Sequence, residues 1–145
     1  MAVEFRICRQ WGFVLVTLQG QVSPAEHVQS FVDYSRHPEF SPDQNVLMNL
    51  RDFAFDALFF EQLVEVAAKL EPLYKARSGK IKTAIYAPGD AAYGMTRVYQ
   101  SITEGRTDQT NAVFREVVPA LEFIGLEPGS PAWDWALGQM QGDAR

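Results

Sequence analysis

The chain is poor in the residues that usually announce an activity. It has one cysteine, Cys8, so no internal disulfide can close, and only two histidines, His27 and His37. No Cys/His spacing resembles a zinc site, and neither histidine has a nucleophile beside it, so both read as solvated or locally bonded. Cys8 falls in a β-rich stretch, where a buried, inert thiol is the expected state. No cofactor fingerprint is present: the glycines of YAPGDAAYG stand at the wrong spacing for a phosphate-binding or dinucleotide loop. Basic residues are outnumbered, 13 against 18 acidic, for a net charge of −5. That balance argues against nucleic acid as the main partner. No apolar run approaches the roughly 18 residues of a membrane-crossing helix, and no secretory-type leader is recognisable. The expectation is a cytoplasmic protein without a transmembrane segment, a resident metal or a cofactor.

What is present suits a globular domain. Of 145 residues, 47% are apolar and 21% charged, enough to bury a core without covalent staples. Residues 3–8 and 12–19 are β-rich, with a short RQWG turn between them, and predict an antiparallel hairpin. In the second strand Val14, Val16 and Leu18 alternate with Phe13, Leu15 and Thr17, so both faces are apolar and the strand belongs inside a sheet. Ser23-Pro24-Ala25-Glu26 reads as a capping box with proline at the first helical position. The helix that follows places Val28, Phe31, Val32 and Ser35 on one face and stops near Arg36, because Pro38 turns His37 away from helical angles.

A short strand, NVLMNL (45–50), leads into a second helix over about 56–75. Phe59, Leu63, Val66, Ala67, Leu70 and Leu73 form its core-facing stripe, and Pro72 should kink it or end it early. A strand at 80–87, a helix at 91–102 with Asp90 as its cap, a strand at 111–115 and a helix at 116–125 complete the alternation. A last helix carries Trp133, Ala136, Leu137 and Met140 on one face. Of Trp133 and Trp135, one should pack on the domain and the other is a candidate contact for a second subunit. The order ββαβαβαβα plus a final helix predicts an α/β fold with a mixed, mostly parallel sheet opened by an antiparallel hairpin.

The stretch NLRDFAFDALFF (49–60) joins the middle strand to its helix, so Arg51 and Asp52 stand at the carboxyl end of a central strand, where α/β sheets place ligands. Tyr93 and Arg97 share a face of a helix that begins at the same edge. Arg51, Tyr93 and Arg97 are therefore the candidate contacts for a carboxylate or phosphate head group. The structural alternative pairs Arg51 with Asp52, Asp56 or Glu61, and Arg97 with Glu104 or Asp90. Phe55 and Phe60 are candidates for an exposed aromatic surface that meets a partner.

Taken in order, GFVLVTLQGQVSPAE, VLMNLRDF, AIYAPGDAAYGMTR and VFREVVPALEFIGL resemble the STAS-like, SpoIIAA-like domains of the anti-sigma-factor antagonists. The likeness is closer to a small bacterial branch grouped with CRAL-TRIO-type lipid carriers. It covers roughly residues 5–126, so a STAS-like domain at 1–126 with a helical extension at 127–145 packed on it is expected. The resemblance implies a non-enzymatic binding or regulatory module. The serine that a kinase phosphorylates in those antagonists corresponds here to Ala57, which has no hydroxyl, so no phospho-switch is expected. Two classes remain. One is a homodimeric module that engages a partner protein or a small, anionic, lipid-like ligand at the carboxyl end of the sheet. The other is an enzyme acting on a phosphate or carboxylate ester near Arg51, Asp52, Asp56 and Tyr93.

Overall fold

The computed structural model describes residues 3–54, 61–77, 80–104 and 109–142. Strands β1 (Val3–Cys8) and β2 (Phe13–Leu18) form the expected antiparallel hairpin in unbroken register, from Val3 opposite Leu18 to Cys8 opposite Phe13. The turn between them closes on Gly12, whose φ of 74° is the left-handed conformation that glycine adopts without steric cost. Strands β4 (Asn45–Asn49), β6 (Lys82–Tyr86) and β7 (Thr110–Phe114) then add in parallel, giving the order β1-β2-β4-β6-β7. Two further short strands, β3 (Gly20–Gln21) and β5 (Phe53–Ala54), pair in parallel beyond the ends of β2 and β4. Nothing in their composition marked them.

Helices α1 (Pro24–Ser35), α2 (Leu63–Lys75) and α3 (Asp90–Thr103) lie on one side of the sheet. There Val14, Val16, Leu18, Met48 and Ile85 pack against Phe31, Val66 and Leu70. Helices α4 (Val117–Phe123) and α5 (Pro131–Gln141) lie on the other, where Phe13, Leu15, Leu47 and Ala84 meet Leu121, Trp133 and Met140. The two-faced alternation of β2 thus feeds two separate cores.

The capping box forms as its residues dictate: Ser23 Oγ accepts from the Glu26 N–H and the Glu26 carboxylate from the Ser23 N–H, both at 3.1 Å. The face buried by α1 differs from the expected one. It runs Pro24, His27, Phe31 and Tyr34 rather than through Val32 and Ser35. His27 is 7% exposed, so of the two expected states, solvated or locally bonded, the solvated one is excluded. Tyr34 turns inward because it has partners there. Its hydroxyl donates to Gln44 Oε1 at 2.6 Å, and the Arg77 guanidinium stacks over its ring at 5.2 Å.

The cap of α3 is another departure. Gly89 holds that position without a side-chain bond, while Asp90 opens the helix and pairs with Arg115 instead. Both tryptophans of α5 pack inward. Trp133 is buried, and Trp135 lies against Trp11 and Phe13 with ring centroids 5.9 and 6.2 Å apart. Trp135 keeps a half-exposed side, and the expected contact with a second subunit is left open.

Candidate functional site

The charged break after β4 is a turn with both ends tied. The Asn49 side chain accepts from the Arg51 N–H at 3.1 Å, the Leu50 carbonyl from the Phe53 N–H at 3.2 Å, and the Asp52 carbonyl from the Gly20 N–H at 2.9 Å. These bonds bring the chain to β5 and fix the direction of Arg51. Its guanidinium donates to Asp52 Oδ2 through Nε (3.3 Å) and Nη2 (2.9 Å), and to the Met140 carbonyl through Nη1 (3.3 Å). Arg51 therefore leans toward the end of α5, on the side of the sheet that α4 and α5 cover. Gly142 caps α5 at φ 77°, and a β-carbon there would run into the Arg51 guanidinium.

This arrangement walls an open groove of about 290 Å³. Its floor is a row across three strands: Glu4 lies opposite Thr17, and Thr17 opposite Asn49. Arg6 and Leu15 form the next row, Arg51 and Asp52 one end, and Gln139 and Gly142 the wall given by α5. The lining is polar with Leu15 as its aliphatic exception among the described residues. Two cations and two carboxylates face the space, together with amide and hydroxyl groups that both donate and accept. The volume is at the lower end of small-molecule sites. The Arg51–Asp52 pair is partly exposed, with side-chain accessibilities of 33% and 52%. Such a pair contributes little on its own and can exchange for a ligand's anion.

Tyr93 and Arg97 belong to the opposite layer. Tyr93 packs on the apolar cluster beneath α1, α2 and α3, and the Arg115 guanidinium covers its ring at 5.0 Å. Arg97 is exposed on α3. Neither lines the groove that Arg51 and Asp52 wall, and Tyr93 is likewise parted from Arg51 and Asp52 as a catalytic set. The sheet separates the groups because Arg51 turns to one face and α3 crosses on the other. Phe55, Ala57, Asp56 and Phe60 lie outside the described residues, and the expectations resting on them stay where the sequence left them. Glu4, Arg6 and Gln139 were missed as site residues. A signal existed for the first two, since VEFRIC alternates charged with apolar residues, the mark of a strand with one open face.

The opposite layer holds a smaller, apolar space of about 50 Å³, lined by Leu18, His27, Met48, Thr83, Ile85 and Tyr99 among others. An apolar cavity that admits benzene measures about 150 Å³, so this one suits ordered water beside the buried Thr83 hydroxyl. Three groups with displaced pKa values line it. Burial pushes His27 down to about 4 and Tyr74 up to about 12, and Tyr99 also rises through burial and its neighbour Tyr74. All three are thereby held neutral near pH 7. Cys8 is likewise inert, raised by burial to about 11. Among the described residues no group of three or more His, Cys, Asp or Glu side chains has the makings of a metal site.

Among solved structures, the chain is similar to an uncharacterised protein of the DUF3478 family from Shewanella loihica PV-4, described as having a SpoIIAA-like fold. The superposition has a TM-score of 0.53 and covers 85% of this chain and 92% of that one, at 13% sequence identity. The fold is SpoIIAA-like. At that identity the likeness speaks for the fold alone, and it bears on the SpoIIAA-like part of the expected resemblance rather than on the lipid-carrier grouping. No family model matches the chain, and no curated protein does. No helix among the described residues is long and apolar enough to cross a membrane. Within the SpoIIAA-like frame the groove occupies the carboxyl ends of β2 and β4 together with the antiparallel strand β1.

Proposed function

We propose that this SpoIIAA-like chain is a non-enzymatic binding module whose ligand is a small polar anion, held in the groove at the carboxyl ends of β2 and β4. The observation that carries the reading is the groove itself: about 290 Å³, polar, with Arg51 held at one end and Arg6 at its side. A ligand carboxylate or phosphate replaces Asp52 on the Arg51 fork, keeping the two-donor geometry that guanidinium offers to planar or tetrahedral anions. Thr17, Asn49 and Gln139 supply hydrogen bonds to the rest of the molecule. The polar floor favours a compact hydrophilic ligand and leaves little for an acyl tail to contact. The lack of catalysis is supported by where the perturbed groups lie. The shifted His27, Tyr74 and Tyr99 line the far layer, and the groove offers neither a thiol nor an imidazole.

A nitrogen–proton NMR titration with a panel of small carboxylates and phosphates tests this. At least one should saturate shifts of Thr17, Asn49, Arg51 and Gln139, and Arg51→Gln should weaken it about tenfold or more, the loss of one charge-assisted pair. Shifts spread evenly over the surface, or an unchanged affinity in Arg51→Gln, would contradict the assignment.

A further inference from the structure

Strand β1 ends the sheet, and among the described residues its outer edge has no partner. It is six residues long, without proline, glycine or bulge, and its register with β2 is unbroken. A regular edge of this kind is a template for another strand unless charge or geometry forbids it. Glu4 and Arg6 are exposed on one face, while Phe5 and Ile7 are half-buried on the other.

We propose that two copies of this chain pair antiparallel along β1, with the two-fold axis passing at Phe5, to make one continuous ten-stranded sheet. An axis perpendicular to the sheet keeps each side chain on its own face, so it must pass through a residue and pairs i with a fixed partner. Through Phe5 it sets Glu4 opposite Arg6 of the second copy and Arg6 opposite its Glu4, and it puts Val3 opposite Ile7 and Phe5 opposite Phe5. Every pair matches: two opposite charges on one face, aliphatic and aromatic pairs on the other. An axis through Glu4 or through Arg6 would instead place like charges face to face. Among these registers, the one through Phe5 is the one that sets Glu4 and Arg6 opposite each other, and a two-fold pairing closes at two copies.

The other edge does not share this property. A two-fold axis through Ala112 of β7 would set Asn111 against Val113 and Thr110 against Phe114, polar against apolar. Its Asn111 carbonyl is also taken by the Gln100 amide at 2.8 Å. Pairing along β1 has a consequence for the groove, since it brings Arg6 of the second copy beside Glu4, adding a cation at the rim. The pairing does not depend on the proposed ligand.

Sedimentation equilibrium of the full chain, with charge-reversed variants, is the test. The native chain should be dimeric. Arg6→Glu and Glu4→Arg, each placing like charges in both symmetry-related pairs, should weaken the dimer on the order of tenfold or more. Circular dichroism identifies a variant that has merely lost its fold. An equimolar mixture of the two variants should dimerise again, because both facing charge pairs become opposite in sign. A native chain that stays monomeric, single variants that dimerise like the native chain, or a mixture that stays apart would each overturn the proposal. Arg51→Gln should leave the dimer intact, which separates this interface from the ligand groove.

Discussion

Lowering the pH from 7 toward 4 should weaken this fold through His27, a side chain on which no expected activity rests. His27 sits on the buried face of α1, its ring edge-on to Phe31 at 5.6 Å, and burial takes its pKa from 6.5 to about 4. The folded state thus holds the imidazole neutral, whereas the unfolded chain takes up a proton near 6.5. Because the folded pKa is the lower one, unfolded molecules bind more protons between those two values, and stability falls as the pH drops through that window. Above 6.5 the contribution is fully favourable, and below about 4 both states are protonated and the loss is complete. At roughly 1.36 kcal/mol per pH unit, the gap amounts to about 3 kcal/mol, a large share of a typical 5–15 kcal/mol domain stability. Urea denaturation of the native chain and of His27→Leu, at steps from pH 7.5 to 4, isolates the effect from the carboxylates common to both. The difference between the two curves should change by about 3 kcal/mol, almost all between pH 6.5 and 4. Parallel curves would refute the reasoning.

Arg77 gives a second test, since the residue is 8% exposed with no carboxylate paired to it among the described residues. It is held by the Tyr34 and Phe40 rings at 5.2 and 5.7 Å and by the Gln44 carbonyl. Arg77→Met, which keeps the stem and removes a desolvated charge, should cost less than about 1 kcal/mol, whereas Arg77→Ala, which leaves the rings unpacked, should cost about 3 kcal/mol in chemical denaturation. Gly142→Ala combines a strained left-handed cap with a β-carbon against Arg51. It should lower stability by about 1 kcal/mol and weaken anion binding in a titration as Arg51→Gln does.

Much of the fold is legible in the sequence for local reasons. The Ser23–Glu26 box needs nothing beyond its own four residues, and the alternation of β2 fixes two faces whatever packs on them. Sequence reasoning failed where a side chain's state depends on distant partners. Tyr34 and His27 look like surface residues of α1 until Gln44, Arg77 and the sheet supply an interior for them. Asp90 looks like a cap until Arg115, at the end of β7, claims its carboxylate. The candidate site divides in the same way. That Arg51 stands at a strand's carboxyl end follows from the chain order. Which face it turns to is decided by the Asn49 side chain and the end of α5, so its separation from Tyr93 and Arg97 could not be read from spacing. The edge position of β1, on which both the groove and the pairing depend, is a matter of strand order that no local pattern encodes.

The most direct test of the groove as a ligand site is native mass spectrometry of gently purified protein, beside the same measurement on Arg51→Ala/Arg6→Ala. A small acid or phosphate ester that accompanies the native chain and is lost from the double variant is the predicted result. An anion retained equally by both proteins would place the binding elsewhere, and a native chain that carries and accepts no anion at all would contradict the account.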